Sequence, residues 1–522
     1  MRRIQICRWG LLTILSFIPA LPLAAQSFRV QCPDTTKIHP TPHVSSEPQY
    51  AQPSVSGQNS TPVLDATHAP IVNGAIKCQE ISGGDGFATM GDGHQIYLFG
   101  FGPLSGVQDI QNGLPGTEFA TTFNAVNDPN GAIGLVNPAT GAVDAAPTMN
   151  LGVLNANMPA PTMAIDEDDE FFLTLTNVGM IMRPDLFEEH TVHFHGYPNA
   201  SSFYDGVPDA SVSINIGGSF TYYYLAPDAG TYFWHCHITP PEHLQMGMVG
   251  QLYVRPRQNR VPVNGSLYAA LQTQQLDLRT ACNVAADILC STPLPASNSV
   301  QHANDSFGQP TKYAYNDGDG STRYDIDVPI QIHGFDPNFH FVGMTFNPEG
   351  FSDMKDKYFL LNGRSYPDTV NKAGNWVATP GSTGSPSIYT AGSDGVSRPS
   401  QPLPSTITLT QGQRALLRIS DLDVAEFQTL ASLGIPMQVI AINARLLRDM
   451  AGTNMYYTTN SITVGGGESI DVILDSCAVR DANFTCVTPI ARGTYFLYTP
   501  QLDHLSNDAE NFGGLMTEVV VQ

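Results

Sequence analysis

Gly230-Thr231-Tyr232-Phe233 recurs as Gly493-Thr494-Tyr495-Phe496, and a strand written twice in one chain constrains the fold more than any other feature. Self-similarity at long spacing marks duplicated structural units. The neighbouring stretches agree. Gly217-Gly218-Ser219-Phe220 is paralleled by Gly465-Gly466-Gly467-Glu468, and Phe171 to Asn177 by Ala415 to Leu422. The two copies part company just after the repeated strand. The first runs into Trp234-His235-Cys236-His237, the second into Leu497-Tyr498-Thr499-Pro500. A histidine-rich stretch, His190 to Gly196, comes after Phe171 to Asn177, and its counterpart in the second copy is expected at Met437-Gln438-Val439-Ile440, which has no histidine.

Each unit is expected to be a β-sandwich. Charged residues make up only 14% of the chain, glycine and proline number 47 and 39, and short aromatic or β-branched runs lie between turn signals. In the first unit those runs are 94–101, 171–177, 191–195, 219–225, 230–237 and 248–254. The expected order is a signal segment over 1–25, an extended arm rich in Pro, Ser, Thr and Gln over 26–85, and a first sandwich over 86–257. Polar linker and loops come next over 258–325, and a second sandwich over 326–522. The run Asp166 to Glu170 reads as a solvated approach to a strand, and Asp317-Gly318-Asp319-Gly320 as a plain turn.

Arg2, Arg3 and Arg8 precede an apolar run from Leu11 to Leu23 that closes on Ala24 and Ala25. That is the pattern of an export signal, and the run is shorter than the ~20 residues of a spanning helix. No later stretch is apolar enough to span. The chain is therefore expected outside the cytoplasm, secreted or periplasmic. Seven cysteines lie beyond Cys7, and proximity pairs Cys32 with Cys78, Cys282 with Cys290 and Cys477 with Cys486, which leaves Cys236 alone. Disulfides suit an oxidising compartment. The formal charge of −23, less the three signal arginines, gives −26, which argues against nucleic acid as a partner and suits cations or basic redox proteins.

Six of the fourteen histidines fall between His190 and His243. In a strand alternate side chains share a face, so His193 and His195 point one way and His190 the other. In the next strand His235 and His237 share a face and Cys236 takes the opposite one. Two imidazoles, one thiolate and a weak thioether make a blue-copper site, and His190, Cys236, His243 and Met248 supply that set. Met246 is the competing thioether, expected instead to fill core space. Zinc is the rival metal. His193, His195, His235 and His237 form an outer group suited to catalytic copper, joined to the inner set by the backbone of His235-Cys236-His237.

At these residues the chain resembles the multicopper oxidases, the family of laccases and their two-domain relatives. The resemblance rests on His190-Thr191-Val192-His193-Phe194-His195-Gly196, on His235-Cys236-His237, and on His243-Leu244-Gln245-Met246-Gly247-Met248. It implies an all-β protein of two cupredoxin-like Greek-key sandwiches with an extended N-terminal arm. It implies type 1 copper at His190, Cys236, His243 and Met248, and type 2 and type 3 copper at His193, His195, His235 and His237. The expected reaction is oxidation of a one-electron donor, whether a phenol, a metal ion or a redox protein, with reduction of dioxygen. The family's oxygen-reducing cluster uses eight histidines, and this chain offers four. Beyond the first sandwich the chain adds only His302, His333, His340 and His504, none in an H-x-H pair. A homo-oligomer is one source of the missing ligands, through two first sandwiches face to face or through a ring of chains. A copper nitrite-reductase-type enzyme and a non-catalytic electron-transfer protein are the alternatives.

Overall fold

The computed structural model describes residues 31–522 except 41–45, 51–54, 57–60, 63–72, 126–127, 129, 133–144, 197–200, 227, 275–293, 295–299, 346–349, 372–387, 392–396 and 483. It is an all-β protein of two cupredoxin-like sandwiches. In the first unit one sheet is built on β1 (Ile76–Thr89), β2 (Gln95–Pro103), β4 (Glu170–Gly179) and β6 (Ser219–Leu225), in the order β2-β1-β4-β6. The facing sheet has the order β3-β8-β7-β5, with β3 (Met163–Asp166), β5 (His193–Phe194), β7 (Gly230–His235) and β8 (Val249–Arg255). Alternation explains the pairing. Phe171, Leu173 and Leu175 of β4 turn into the core with Trp234 and Leu252, while Thr174 and Thr176 turn outward, onto Thr221 and Ser219 of β6.

The second unit repeats this plan. Its large sheet runs β10-β9-β12-β16-β14, from β9 (Ile326–Phe335), β10 (Tyr358–Leu361), β12 (Arg414–Asp421), β14 (Met437–Ile442) and β16 (Glu468–Asp475). The other sheet runs β11-β18-β17-β13-β15, from β11 (Ile407–Leu409), β13 (Gln428–Leu433), β15 (Ser461–Val464), β17 (Gly493–Tyr498) and β18 (Met516–Val521). The parallel pairs β1 with β4 and β3 with β8 recur as β9 with β12 and β11 with β18.

Register corrects one expectation about the repeat. Phe194 pairs with Trp234 on β7, and Ser432 pairs with Leu497 on β17. The counterpart of the histidine strand is thus β13, not Met437 to Ile440. Two boundaries also differ. β1 begins at Ile76, inside the stretch expected to be arm, because Ile76, Cys78 and Ile81 are buried. The strand expected over 191–195 is only His193–Phe194.

The units share two apolar clusters. Phe233 and Val249 pack with Phe335, Tyr358, Leu360 and Leu422, and Ala229 packs with Leu416, Ile440 and Ile473. Polar contacts fix the register between units. Thr231 Oγ1 donates to Asp471 at 2.6 Å, and Gln251 Nε2 donates to the Arg418 carbonyl at 2.8 Å and to Ser420 at 2.9 Å. Gly230 sits tight against the second unit, since a Cβ there would lie 2.5 Å from that of Ala444. The outward face of β7 is therefore covered by the chain's own second unit up to the histidines.

The run Asp166 to Glu170 is buried throughout, against the expectation of a solvated approach. A carboxylate cannot be buried alone, and each here has partners from distant chain. Asp166 meets Arg255 at 2.9 Å, and Asp168 meets Arg257 at 2.9 Å and Arg260 at 3.1 Å. Glu167 accepts from the Ala229 and Arg257 amides and from Asn316. Asp169 accepts from the Ala75 amide, and Glu170 from His39 and Tyr223. This knot ties the arm, both sheets of the first unit and the segment beyond β8 together. Asp317 instead caps its own turn, accepting from the Gly320 and Thr322 amides.

Cys32–Cys78 and Cys477–Cys486 are disulfides. The expected Cys282–Cys290 pair lies outside the described residues, as does the signal segment. Among the described residues no helix is long and apolar enough to cross a membrane.

Candidate metal centre

Three donors meet in the core of the first unit. Cys236, just past β7, turns its thiol toward His190 Nδ1 at 4.0 Å and His243 Nδ1 at 3.3 Å, and all three residues are fully buried. The loop after Cys236 returns by way of α1 (Pro240–Gln245). Two backbone bonds lock the return: the Cys236 amide donates to the Met248 carbonyl at 3.1 Å, and the Met248 amide to the His243 carbonyl at 2.8 Å. Met248 is fully buried in the same cluster as Cys236. The Met246 sulfur lies against Gly343 of α2 (Pro337–Met344), in the same buried cluster as Met248.

Burial alone would raise the Cys236 thiol, but His243 and His190 beside it bring it well below its ordinary value. Burial would lower His243, and the Cys236 thiolate together with Glu188 overcomes this and holds it at about 10. A buried thiolate against an imidazolium is the charge pattern of a cation site in which a proton stands in for the metal. Among the described residues His190 Nε2 and His243 Nε2 have no hydrogen-bond partner, although the Glu188 carboxylate stands 3.7 Å from the latter. The donor set fits copper: two imidazoles, one thiolate and a nearby thioether.

The outer histidines also gather. His195 Nε2 and His235 Nε2 are 2.9 Å apart, and the ligand atoms of His193, His195 and His235 lie within 4.8 Å of one another. His237 stands beside them, its ring 5.0 Å from that of His193, but outside that group of three. Backbone contacts choose the tautomers. His235 Nδ1 donates to the Cys236 carbonyl and His193 Nδ1 to that of Asp205, both at 2.6 Å, so each ring turns its unprotonated Nε2 toward the outer group. Burial takes His235 down to about 3 and, with His193 and His237, takes His195 to about 4. Both rings are then neutral ligands at neutral pH.

His195 and His235 open onto a cavity of about 460 Å³, walled on the far side by Leu422, Asp423, Glu426 and Phe427 of the second unit. None of the further candidate histidines reaches it. His302 and His340 bridge backbone carbonyls, His333 is buried beside Phe335, and His504 stacks on Phe359 at 3.7 Å.

Multicopper oxidase is the family whose profile matches residues 136–259, which contain every one of these donors. Over these residues the chain is similar to the multicopper oxidases. A multicopper oxidase of Talaromyces pinophilus is 33% identical over 108 residues, 20% of this chain and 16% of that protein. Laccase abr2 of Aspergillus fumigatus is 32% identical over 109 residues, 20% of this chain and 17% of that protein. The chain thus matches less than a fifth of either relative's length. The blue copper oxidase of Nitrosomonas europaea superposes at a TM-score of 0.47 with 16% identity, covering 85% of each chain.

The first unit has a twin in the second that lacks its donor set. In the second unit the Thr499 amide donates to the Leu515 carbonyl at 2.9 Å and the Leu515 amide to the His504 carbonyl at 3.0 Å, repeating both locks of the inner site. Thr499 thus stands for Cys236, Leu515 for Met248 and His504 for His243. By strand register Gln428 stands for His190. Even Glu188 has its twin, since Glu426 pairs with His504 Nε2 at 2.9 Å. One imidazole remains and the thiolate is gone, so the donor set does not fit copper. Sequence reading missed Glu188 and this whole pocket, and the shared spacing Glu188-x-His190 and Glu426-x-Gln428 was the available signal.

Proposed function

We propose that the chain is an exported multicopper oxidase that takes single electrons from a donor at a blue copper and reduces dioxygen at the outer histidines. The observation that carries this is the pair of donor sets on opposite faces of one three-residue segment, His235-Cys236-His237. Copper, when bound, supplies one-electron redox chemistry and a site for dioxygen. His190, Cys236 and His243 would hold the inner ion, with Met248 as a weak thioether donor. His193, His195, His235 and His237 would hold the outer copper.

The chain's own residues set the conditions. Hydrogen bonds of His193 and His235 to carbonyls keep their Nε2 atoms turned outward, and the low basicity of His195 and His235 leaves them unprotonated. The apolar wall of Phe233, Leu244 and Leu422 limits water in the cavity. Glu188, half-buried 3.7 Å from His243 Nε2, places a negative charge where electrons enter, which favours a cationic donor over an anionic one. Phenols, low-valent metal ions and redox proteins remain the donor classes. The export pattern of the sequence at 1–25 and the disulfides of the described residues support export.

One observation favours a second reading. Only His193, His195 and His235 converge within 4.8 Å, which suits a single outer copper, as in an enzyme of the copper nitrite-reductase type. Dioxygen uptake separates the two. Copper-loaded chain given a one-electron donor should consume dioxygen in proportion to donor oxidised, with no uptake from chain lacking copper. Donor oxidation that proceeds only with nitrite, and without dioxygen uptake, would reject the oxidase.

A further inference from the structure

The contact between the two units can be applied a second time through the repeat. On the first unit the outward face of β7 seats on the large sheet of the second, at Arg418 and Ser420 of β12 and Asp471 of β16. Strand registers give the equivalents. Thr231, Phe233 and His235 correspond to Thr494, Phe496 and Tyr498. Arg418, Ser420 and Asp471 correspond to Thr174, Thr176 and Thr221. The same docking, made between chains, would lay the Thr494–Tyr498 face of one copy on the Thr174–Thr221 face of the next.

Among the described residues the face that would dock is uncovered. Leu433, the register equivalent of His195, is 58% exposed, and an open concavity of about 470 Å³ lies over Leu433, Gly434, Pro436 and Tyr498. The seat is occupied by the arm together with Ala120 and Phe123, which pack with Cys32 and with Phe172 of the same row. Thr174 is fully buried and Thr221 nearly so. The Gln31 amide donates to Thr221 Oγ1 at 3.2 Å, on the residue equivalent to Asp471, which receives Thr231 within the chain. Cys32 is bonded to Cys78 of β1, and His39 holds Glu170 of β4 at 2.6 Å. Glu170 is the register equivalent of Arg414, on the same outward row as Thr174 and Thr176.

We propose that residues 31–39 are an assembly cap, occupying the seat that a second copy of this chain would take with its Leu433, Phe496 and Tyr498 face. With the cap in place the head-to-tail contact cannot form, and the chain stays monomeric. A heterologous contact of this kind builds rings or open filaments once released. The outer histidines are then served only by residues of their own chain, and this holds whichever metal they bind.

Sedimentation velocity over a range of concentrations tests the cap on the full chain. Native protein should sediment as a monomer, and Leu433→Asp should leave it unchanged. A Cys32→Ser/His39→Ala variant, with the arm loosened, should shift to dimers and larger species as concentration rises, and adding Leu433→Asp should return it to a monomer. If the double variant does not fold, His39→Ala alone is read the same way and should associate to a smaller extent. A folded, loosened chain that stays monomeric would overturn the proposal. So would native protein that already associates and is dissociated by Leu433→Asp.

Discussion

Replacing Cys236 with serine should abolish the intense visible absorption of the copper-loaded protein, with the fold intact. The band arises from thiolate-to-copper charge transfer, and among the described residues Cys236 is the only cysteine outside a disulfide. The thiol sits where a serine hydroxyl fits, and the Thr191 amide, 3.4 Å from the sulfur, can donate to an oxygen as readily. The substitution removes the soft ligand without opening a cavity, so loss of colour with unchanged circular dichroism is the expected result. The loss should be complete, because serine cannot give a low-energy charge-transfer band. A band retained in that variant would put the copper elsewhere in the chain.

Arg257→Ala should destabilise the protein by about 3–5 kcal/mol, the usual cost of stripping one partner from a buried ion pair. Arg257 holds Asp168 at 2.9 Å and stands 3.5 Å from Glu167, and all three side chains are buried. Burial alone would raise the Asp168 carboxyl, but Arg257 and then Arg260 outweigh it and hold it below its ordinary value. A depressed folded value contributes stability above the unfolded value near 4, and that stability is lost as pH falls through the folded value. Native protein should therefore lose stability below about pH 4. Arg257→Ala should already be weak at neutral pH and show a smaller further loss on acidification. Denaturant unfolding at several pH values measures both, and a change under ~1 kcal/mol at neutral pH would mean that the knot is not the support described here.

The two donor sets were legible because they depend on short-range rules. Alternation along a strand separates His190 and Cys236 from the outer histidines, and adjacency in His235-Cys236-His237 joins the sets. The duplicated strand was legible for the same reason, since Gly230 and Gly493 begin strands of like register. What stayed hidden depends on residues far apart in the chain. Asp166 to Glu170 reads as polar surface until Arg255, Arg257 and Arg260 return beside it. The counterpart of the histidine strand was misplaced because Gln428-Thr429-Leu430-Ala431-Ser432-Leu433 keeps the shape of His190 to His195 while losing every imidazole. The covering of β7 by the second unit depends on Asp471 and Ser420, whose outward direction no local pattern announces.

The central claim is that one domain holds blue copper inside and further copper outside, and copper content per chain, measured with the electron paramagnetic resonance spectrum of the same sample, tests it most directly. At least about two copper ions per chain are expected, one with the narrow hyperfine splitting of a thiolate-bound type 1 site and the rest outside that signal. A single copper with only the type 1 signal would leave the outer histidines empty and contradict oxygen reduction. A full complement of copper without any type 1 signal would contradict the assignment of His190, Cys236, His243 and Met248.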